Sequence, residues 1–192
     1  MSRARCHLFC CALILTLCAC VSLPATGPRE VLDERTGDTL RVVEAPWIFA
    51  RARTDVAANA RDYLQLVAAE ASSAGKYRVY LLAQFWSTVD RRMSAYPRAD
   101  AGSLVVLADG RELTMTPVQP FPTLFTKRDD LHAPDHARAV TWAYETDLNT
   151  LEYIAESSSV TLRLSEQALP LPYETWSDAR ADLLALVRRG HN

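Results

Sequence analysis

Three small groups of residues in this chain are of types that could do chemistry. His132 and His136 stand four apart, in the run His132-Ala133-Pro134-Asp135-His136. On a helix that spacing would put two imidazoles on one face, a pattern able to hold zinc. Pro134 works against a helix there, and the glutamate of an HExxH metal site is missing. The expectation is a pair of loop histidines with no resident metal or other cofactor.

Ser87 and Asp90 follow the most apolar run of the body, and a loop histidine would complete the residue types of a nucleophilic triad. No G-x-S-x-G elbow exposes a serine. A strand ending in solvent, with Asp90 as a cap, is the simpler expectation. Asp109, Asp129, Asp130 and Asp135 are of the type that binds calcium or works as a carboxylate pair. The D-x-D/N-x-D/N-G spacing is absent, however, and Asp109 belongs to a turn. Tyr80, Phe85, Trp86, Trp142 and Tyr144 could line an apolar pocket, but the filling of a sheet core is the expected role.

The elements around these residues are mainly strands. Thr39 to Ala50 is rich in β-branched and aromatic residues and is interrupted by Pro46. Arg51 to Asp62 is polar and alanine-rich, with room for one helical turn. Tyr63 to Ser72 and Tyr77 to Thr88 flank Ser73-Ala74-Gly75-Lys76, a loop of hairpin length. Asp109-Gly110 between two β-prone runs is a second hairpin signal. Residues 119–135 carry three prolines and the run Lys127-Arg128-Asp129-Asp130, and make the longest irregular connection.

Ala139 to Thr146 reads as a further strand. Asp147 caps a short helix near 147–157. Val160, Leu162 and Leu164 alternate with polar residues in a half-buried strand, and Leu171 to Trp176 pairs back onto it. Ser177 or Asp178 caps a closing helix near 178–189 that Gly190 ends. The expected fold class is α+β, mainly an antiparallel β-sheet or sandwich with two late helices.

Composition narrows the function. All five cysteines, Cys6, Cys10, Cys11, Cys18 and Cys20, lie in the first twenty residues of the 192. Residues 21–192 therefore offer no disulfide, thiol nucleophile or cysteine metal ligand. Net charge is −2, and the arginines are scattered, so the sequence makes no case for nucleic acid.

The first twenty residues have their own grammar. Met1 to His7 carries Arg3 and Arg5 and no acid. Leu8 to Ala19 is apolar apart from Thr16, a length suited to a signal peptide and too short for a transmembrane helix. Leu17-Cys18-Ala19-Cys20 then supplies an aliphatic residue, a small residue and a cysteine in register. This segment resembles the signal peptide of bacterial lipoprotein precursors, whose lipobox has an aliphatic residue at −3, a small one at −1 and Cys at +1. The resemblance covers about twenty residues; Cys18 at −2 departs from the usual Ala, Ser or Thr.

That resemblance implies cleavage after Ala19 and lipidation of Cys20 by a thioether-linked diacylglyceryl group, with a further acyl chain such as palmitate on its amine. Two or more chains anchor a protein stably. Loss of residues 1–19 would shift the net charge to −4. Val21 after the cysteine, where inner-membrane lipoproteins commonly have Asp, favours the outer membrane. The expected organisation is a signal peptide over 1–19, a lipidated N-terminus and tether over 20–38, and one periplasmic β-rich domain over 39–192. The expected function is non-enzymatic: an envelope lipoprotein whose domain binds or scaffolds an envelope protein partner, through residues 119–135 or an exposed sheet edge. The body is similar in general style to uncharacterised proteobacterial lipoproteins. The competing expectations are an envelope hydrolase using His132 or His136, and a carrier of apolar ligands.

Overall fold

The computed structural model describes residues 27–34, 36–88, 102–126, 128, 131–134, 139–165 and 171–190. Ten strands run β1 (Arg29–Asp33), β2 (Asp38–Val42), β3 (Trp47–Ala52), β4 (Arg61–Ser73), β5 (Lys76–Ser87), β6 (Leu104–Ala108), β7 (Arg111–Met115), β8 (Val140–Thr146), β9 (Val160–Leu164) and β10 (Tyr173–Ser177). Helix α1 (Leu148–Glu156) follows β8, and α2 (Arg180–Gly190) follows β10. The expected α+β class is present, with every strand pairing antiparallel.

The backbone of the fold is the β4–β5 hairpin. Ala74 and Gly75 sit at φ 48° and 78°, so two residues alone turn the chain and Ser73 pairs directly with Lys76. A turn with both central residues at positive φ matches the right-handed twist of the strands it joins. Asp109 and Gly110 repeat the device at φ 47° and 84°. There the Asp109 carboxylate also accepts from the backbone N–H of Ser158 and Ser159, at 3.1 and 2.9 Å, which fastens the β6–β7 turn to the chain leaving α1.

Along β4 one edge pairs β5 throughout, and the other pairs β2 near Ala71 and β3 near Leu64. The sheet then runs from β3 through β10, β9 and β6 to β7, and on the far side from β5 to β8. Pro117 bridges Tyr144 of β8, and the Val118 N–H donates to the Ala143 carbonyl at 2.8 Å. Eight strands, β3 to β10, thereby close on themselves as a barrel. Phe85 and Tyr173 belong to strands separated by two others, yet their rings meet edge to face at 6.4 Å. They meet across the interior.

Alternation assigns the two faces. Phe49, Leu64, Phe85, Trp142, Tyr144, Leu104, Leu162 and Tyr173 share the inner parity and are buried. The Tyr144 hydroxyl donates to the Gly102 carbonyl at 3.0 Å, and burial pushes its ionisation well above the usual phenol range. Val67, Ala69, Tyr80 and Leu82 face outward and are equally buried. Phe125 of the 3-10 turn Thr123–Phe125 covers Tyr80 edge on, at 5.1 Å between ring centroids. Burial on both faces explains the nearly unbroken apolar run of β5.

The two helices close one end. Leu151, Ile154, Leu183, Leu186 and Val187 are buried, and Ala179 and Leu183 approach Leu66, Ala68 and Leu81 of the barrel. Asp147 caps α1 by accepting from the Thr150 N–H at 2.9 Å. Gly190 is the last residue of α2 as described, and it has a packing role besides. A Cβ there would stand 2.7 Å from Leu148 Cδ1, so glycine lets α2 pass close over the start of α1.

Part of the stretch read as tether is folded. β1 lies within residues 20–38 and pairs along β2 from Arg29 to Asp33. It is an edge strand with charged side chains in water, so it carries no apolar periodicity to announce it. Residues 53–60 are hydrogen-bonded turns, and the Ala57 N–H donates to the Arg53 carbonyl at 3.2 Å, a single helix-like turn.

Candidate functional site

Past the barrel, the distal half of the hairpin is joined by β2 and β1 as a four-stranded flap. Register sets its outward rows. Asp33 pairs with Asp38, Thr39 after it pairs with Ser72, and Ser73 pairs with Lys76. One row therefore runs from two acids on β1 and β2, through a serine, to a base on β5. Behind it, Leu40, Ala71 and Arg78 form the next row, and Tyr80 stands beyond.

These residues line a cleft of about 400 Å³ whose far wall is Thr123, Leu124 and Arg128. That size falls in the range of small-ligand sites, about 300–1,000 Å³. Leu40, Ala71 and Tyr80 make a buried apolar floor, whereas Lys76 and Arg78 are exposed. The Tyr80 hydroxyl, with Glu145 nearby, raises the Arg78 guanidinium above its ordinary range, so it is always charged. Among the described lining residues the bases are Lys76, Arg78 and Arg128 and the acids Asp33 and Asp38.

The loop wall is clamped by buried amides. Gln65 and Gln84 face each other across β4 and β5, with Gln65 Nε2 donating to Gln84 Oε1 at 2.6 Å. Gln84 Nε2 also donates to the Leu131 carbonyl at 3.0 Å, and Gln65 Nε2 donates to the His132 carbonyl. His132 Nε2 donates in turn to the Val43 carbonyl at 2.8 Å. His132 sits at φ 52°, a left-handed conformation that a non-glycine residue holds only when its surroundings enforce it. Here three hydrogen bonds do so, and they hold Leu131 and His132 against the sheet.

A second polar cluster sits at the other end of β4, inside the barrel. Arg51 pairs with Asp62 and Asp62 with Ser87, so the three make one inward row across three strands. The Arg51 guanidinium donates to Asp62 at 2.6 Å and lies over the Tyr173 ring at 4.5 Å from its centroid. Arg53 reaches the same carboxylate at 3.3 Å. Asp62 is 1 % exposed and Ser87 2 %. Two guanidiniums on one buried carboxylate make a paired, desolvated cluster of the kind that supports a fold.

The chemistry-bearing residues of the sequence are thereby dispersed. Ser87 faces the interior, while His132 docks at Gln65 on the outer face, and the sheet separates them. Asp109 is engaged in its turn. Phe85, Trp142 and Tyr144 point inward and Tyr80 and Trp86 outward, so the aromatic five line no common pocket. Trp86 instead stacks on Tyr63 at 5.1 Å. Ala19, Cys20, Asp90, Asp129, Asp130, Asp135 and His136 lie outside the described residues.

Among the described residues no group of three or more His, Cys, Asp or Glu is placed to hold a metal, and no helix is long and apolar enough to cross a membrane. Sequence reasoning did not find the Gln65–Gln84 pair, the Arg51–Asp62 pair or the Asp33–Asp38–Lys76 row. A glutamine at an otherwise apolar position of each hairpin arm was the available signal for the first. Comparison with models of protein families, with curated proteins and with solved structures finds no match.

Proposed function

We propose that this chain is a lipid-anchored protein of the bacterial envelope whose barrel domain binds another envelope component, without catalysis of its own. In this reading signal peptidase cleaves after Ala19, Cys20 carries the acyl chains, and the domain faces the periplasm from the outer membrane. The anchoring half is supported by the basic, apolar and Leu17-Cys18-Ala19-Cys20 segments in order.

The binding half is supported by one observation: Thr123, Leu124 and Arg128 of the long connection wall a cleft of about 400 Å³ whose other side carries Asp33, Asp38, Lys76 and Arg78. Of the two histidines of the hydrolase reading, His132 has its Nε2 on the Val43 carbonyl and His136 lies outside the described residues.

Fractionation of cells expressing the wild type and Cys20→Ala tests the anchor. The wild type is expected with the membranes and the variant in the soluble periplasm. A variant that stays with membranes contradicts it. Crosslinking from position 124, on the cleft wall, tests the binding half, which fails if nothing reproducible is attached.

A further inference from the structure

We propose that the reverse face of the flap binds a neutral saccharide, a β-1,4-linked pyranoside chain of which one ring fills a polar pocket. Alternation along the strands puts Tyr77, Ser72 and Thr39 in one cross-strand row on that face, with Glu70, Arg41 and Glu30 in the next. These residues, each of them described, line a pocket of about 180 Å³ on the side opposite Lys76 and Arg78. Its volume is that of about six waters at about 30 Å³ each, which one sugar ring with its hydroxyls would displace.

The charges there select a neutral ligand. The Arg41 guanidinium donates to Glu70 Oε2 at 3.0 Å and to Glu30 Oε2 at 3.3 Å, so its charge is answered within the protein. An anion in the pocket meets two carboxylates, and a cation meets the guanidinium. Hydrogen-bonding capacity remains. Each carboxylate engages Arg41 through one oxygen, the Arg41 Nε–H is buried without a partner, and Thr39, Ser72 and Tyr77 bring hydroxyls. A hydroxyl is one donor and two acceptors. Neighbouring sugar hydroxyls therefore donate to a carboxylate and accept from a guanidinium together, which neither an ammonium nor a carboxylate ligand does.

Glu70 is the fixed point of the pocket. It is 6 % exposed, and the end of α2 packs over it, since a Cβ on Gly190 would lie 3.3 Å from Glu70 Oε2. A carboxylate held in place recognises a ring without first losing side-chain freedom. Tyr77 supplies the apolar contact. It is 70 % exposed, at one end of the hydroxyl row, where its ring is free to lie against the C–H face of a pyranose. Exposed Leu32 ends the same row on β1. Three strand spacings separate the two, about 14 Å, which leaves length for a second ring.

This site lies on the other face of the flap from the cleft and does not depend on the lipid anchor, so each reading can fail alone. The test is an NMR titration of the isotope-labelled full chain carrying Cys20→Ala with four tetrasaccharides. Chitotetraose and cellotetraose are neutral, the fully deacetylated chitosan tetramer is cationic, and cellotetrauronate is anionic. A neutral sugar is expected to shift the amide signals of Thr39 and Ser72, and the charged ones to bind at least about tenfold more weakly. Preference between the two neutral sugars distinguishes an amino-sugar glycan from a plain hexose one. Tyr77→Ala should weaken binding about tenfold, and Lys76→Ala, on the opposite face, should leave it unchanged. Absence of binding by both neutral sugars, equal affinity for the charged ones, or binding unaffected by Tyr77→Ala overturns the proposal.

Discussion

β4 carries a cross-strand row of charge at each end, and the two rows have opposite characters. At its start Arg51, Asp62 and Ser87 lie inside the barrel, nearly without solvent contact. At its end Asp33, Asp38, Ser73 and Lys76 lie on the outward face beside an open cleft. The first row is short of water, and its carboxylate is shared by two guanidiniums, those of Arg51 and Arg53. The second lines the rim of an open cleft, in contact with water. Residue type alone does not separate a structural charge from a binding one; burial and pairing distance do.

The sharpest way to break this comparison is at Asp62. Asp62→Ala removes the buried carboxylate that Arg51 and Arg53 share and is expected to lower unfolding free energy by about 3–5 kcal/mol, read from urea denaturation. A loss under about 1 kcal/mol would mean that the inner row is no more structural than a surface ion pair.

Gln84→Leu comes next. It removes the donor to the Leu131 carbonyl and leaves that buried oxygen unpaired, at an expected loss of about 1–3 kcal/mol. Hydrogen exchange should then rise at His132, whose carbonyl Gln65 also holds, while α1 is unaffected.

Asp147→Ala is expected to lose about 1 kcal/mol by uncapping α1. The Thr150 N–H and hydroxyl hold the Asp147 carboxyl below its ordinary range. A group depressed in the folded state stabilises above its unfolded pKa, about 3.9, and that stabilisation is lost as pH falls through the folded value. The wild type and the variant should therefore differ at pH 7 and converge in strong acid.

The smallest expected effect is at the outer row. Lys76→Ala should change stability by less than about 0.5 kcal/mol, seen as an unshifted denaturation midpoint. A clear destabilisation there would make the outer row structural too.

The strand content was legible because its signals are local. Asp109-Gly110 and Ala74-Gly75 mark turns, and Val160, Leu162 and Leu164 alternate within five residues. Asp147 announced its helix in the same way. Barrel closure was not legible, since it depends on Pro117 meeting Tyr144 across 27 residues of chain, and no local pattern records that pairing. β1 was missed because a charged edge strand looks like a tether. The cleft was missed for a related reason: its acids and bases come from β1, β2 and β5 and meet only through register. His132 drew attention by its chemistry, yet its geometry makes it a latch for the loop.

The central claim is that the outer row lines a binding site while the inner row supports the fold. The most direct measurement places a photoreactive phenylalanine at position 76 or at position 176 of the full chain in living cells. Trp176 is an exposed residue of β10, well away from the cleft. After illumination, mass spectrometry should find an envelope component attached at position 76 and none at position 176. Equal labelling at both positions, or labelling at 176 alone, would contradict the account.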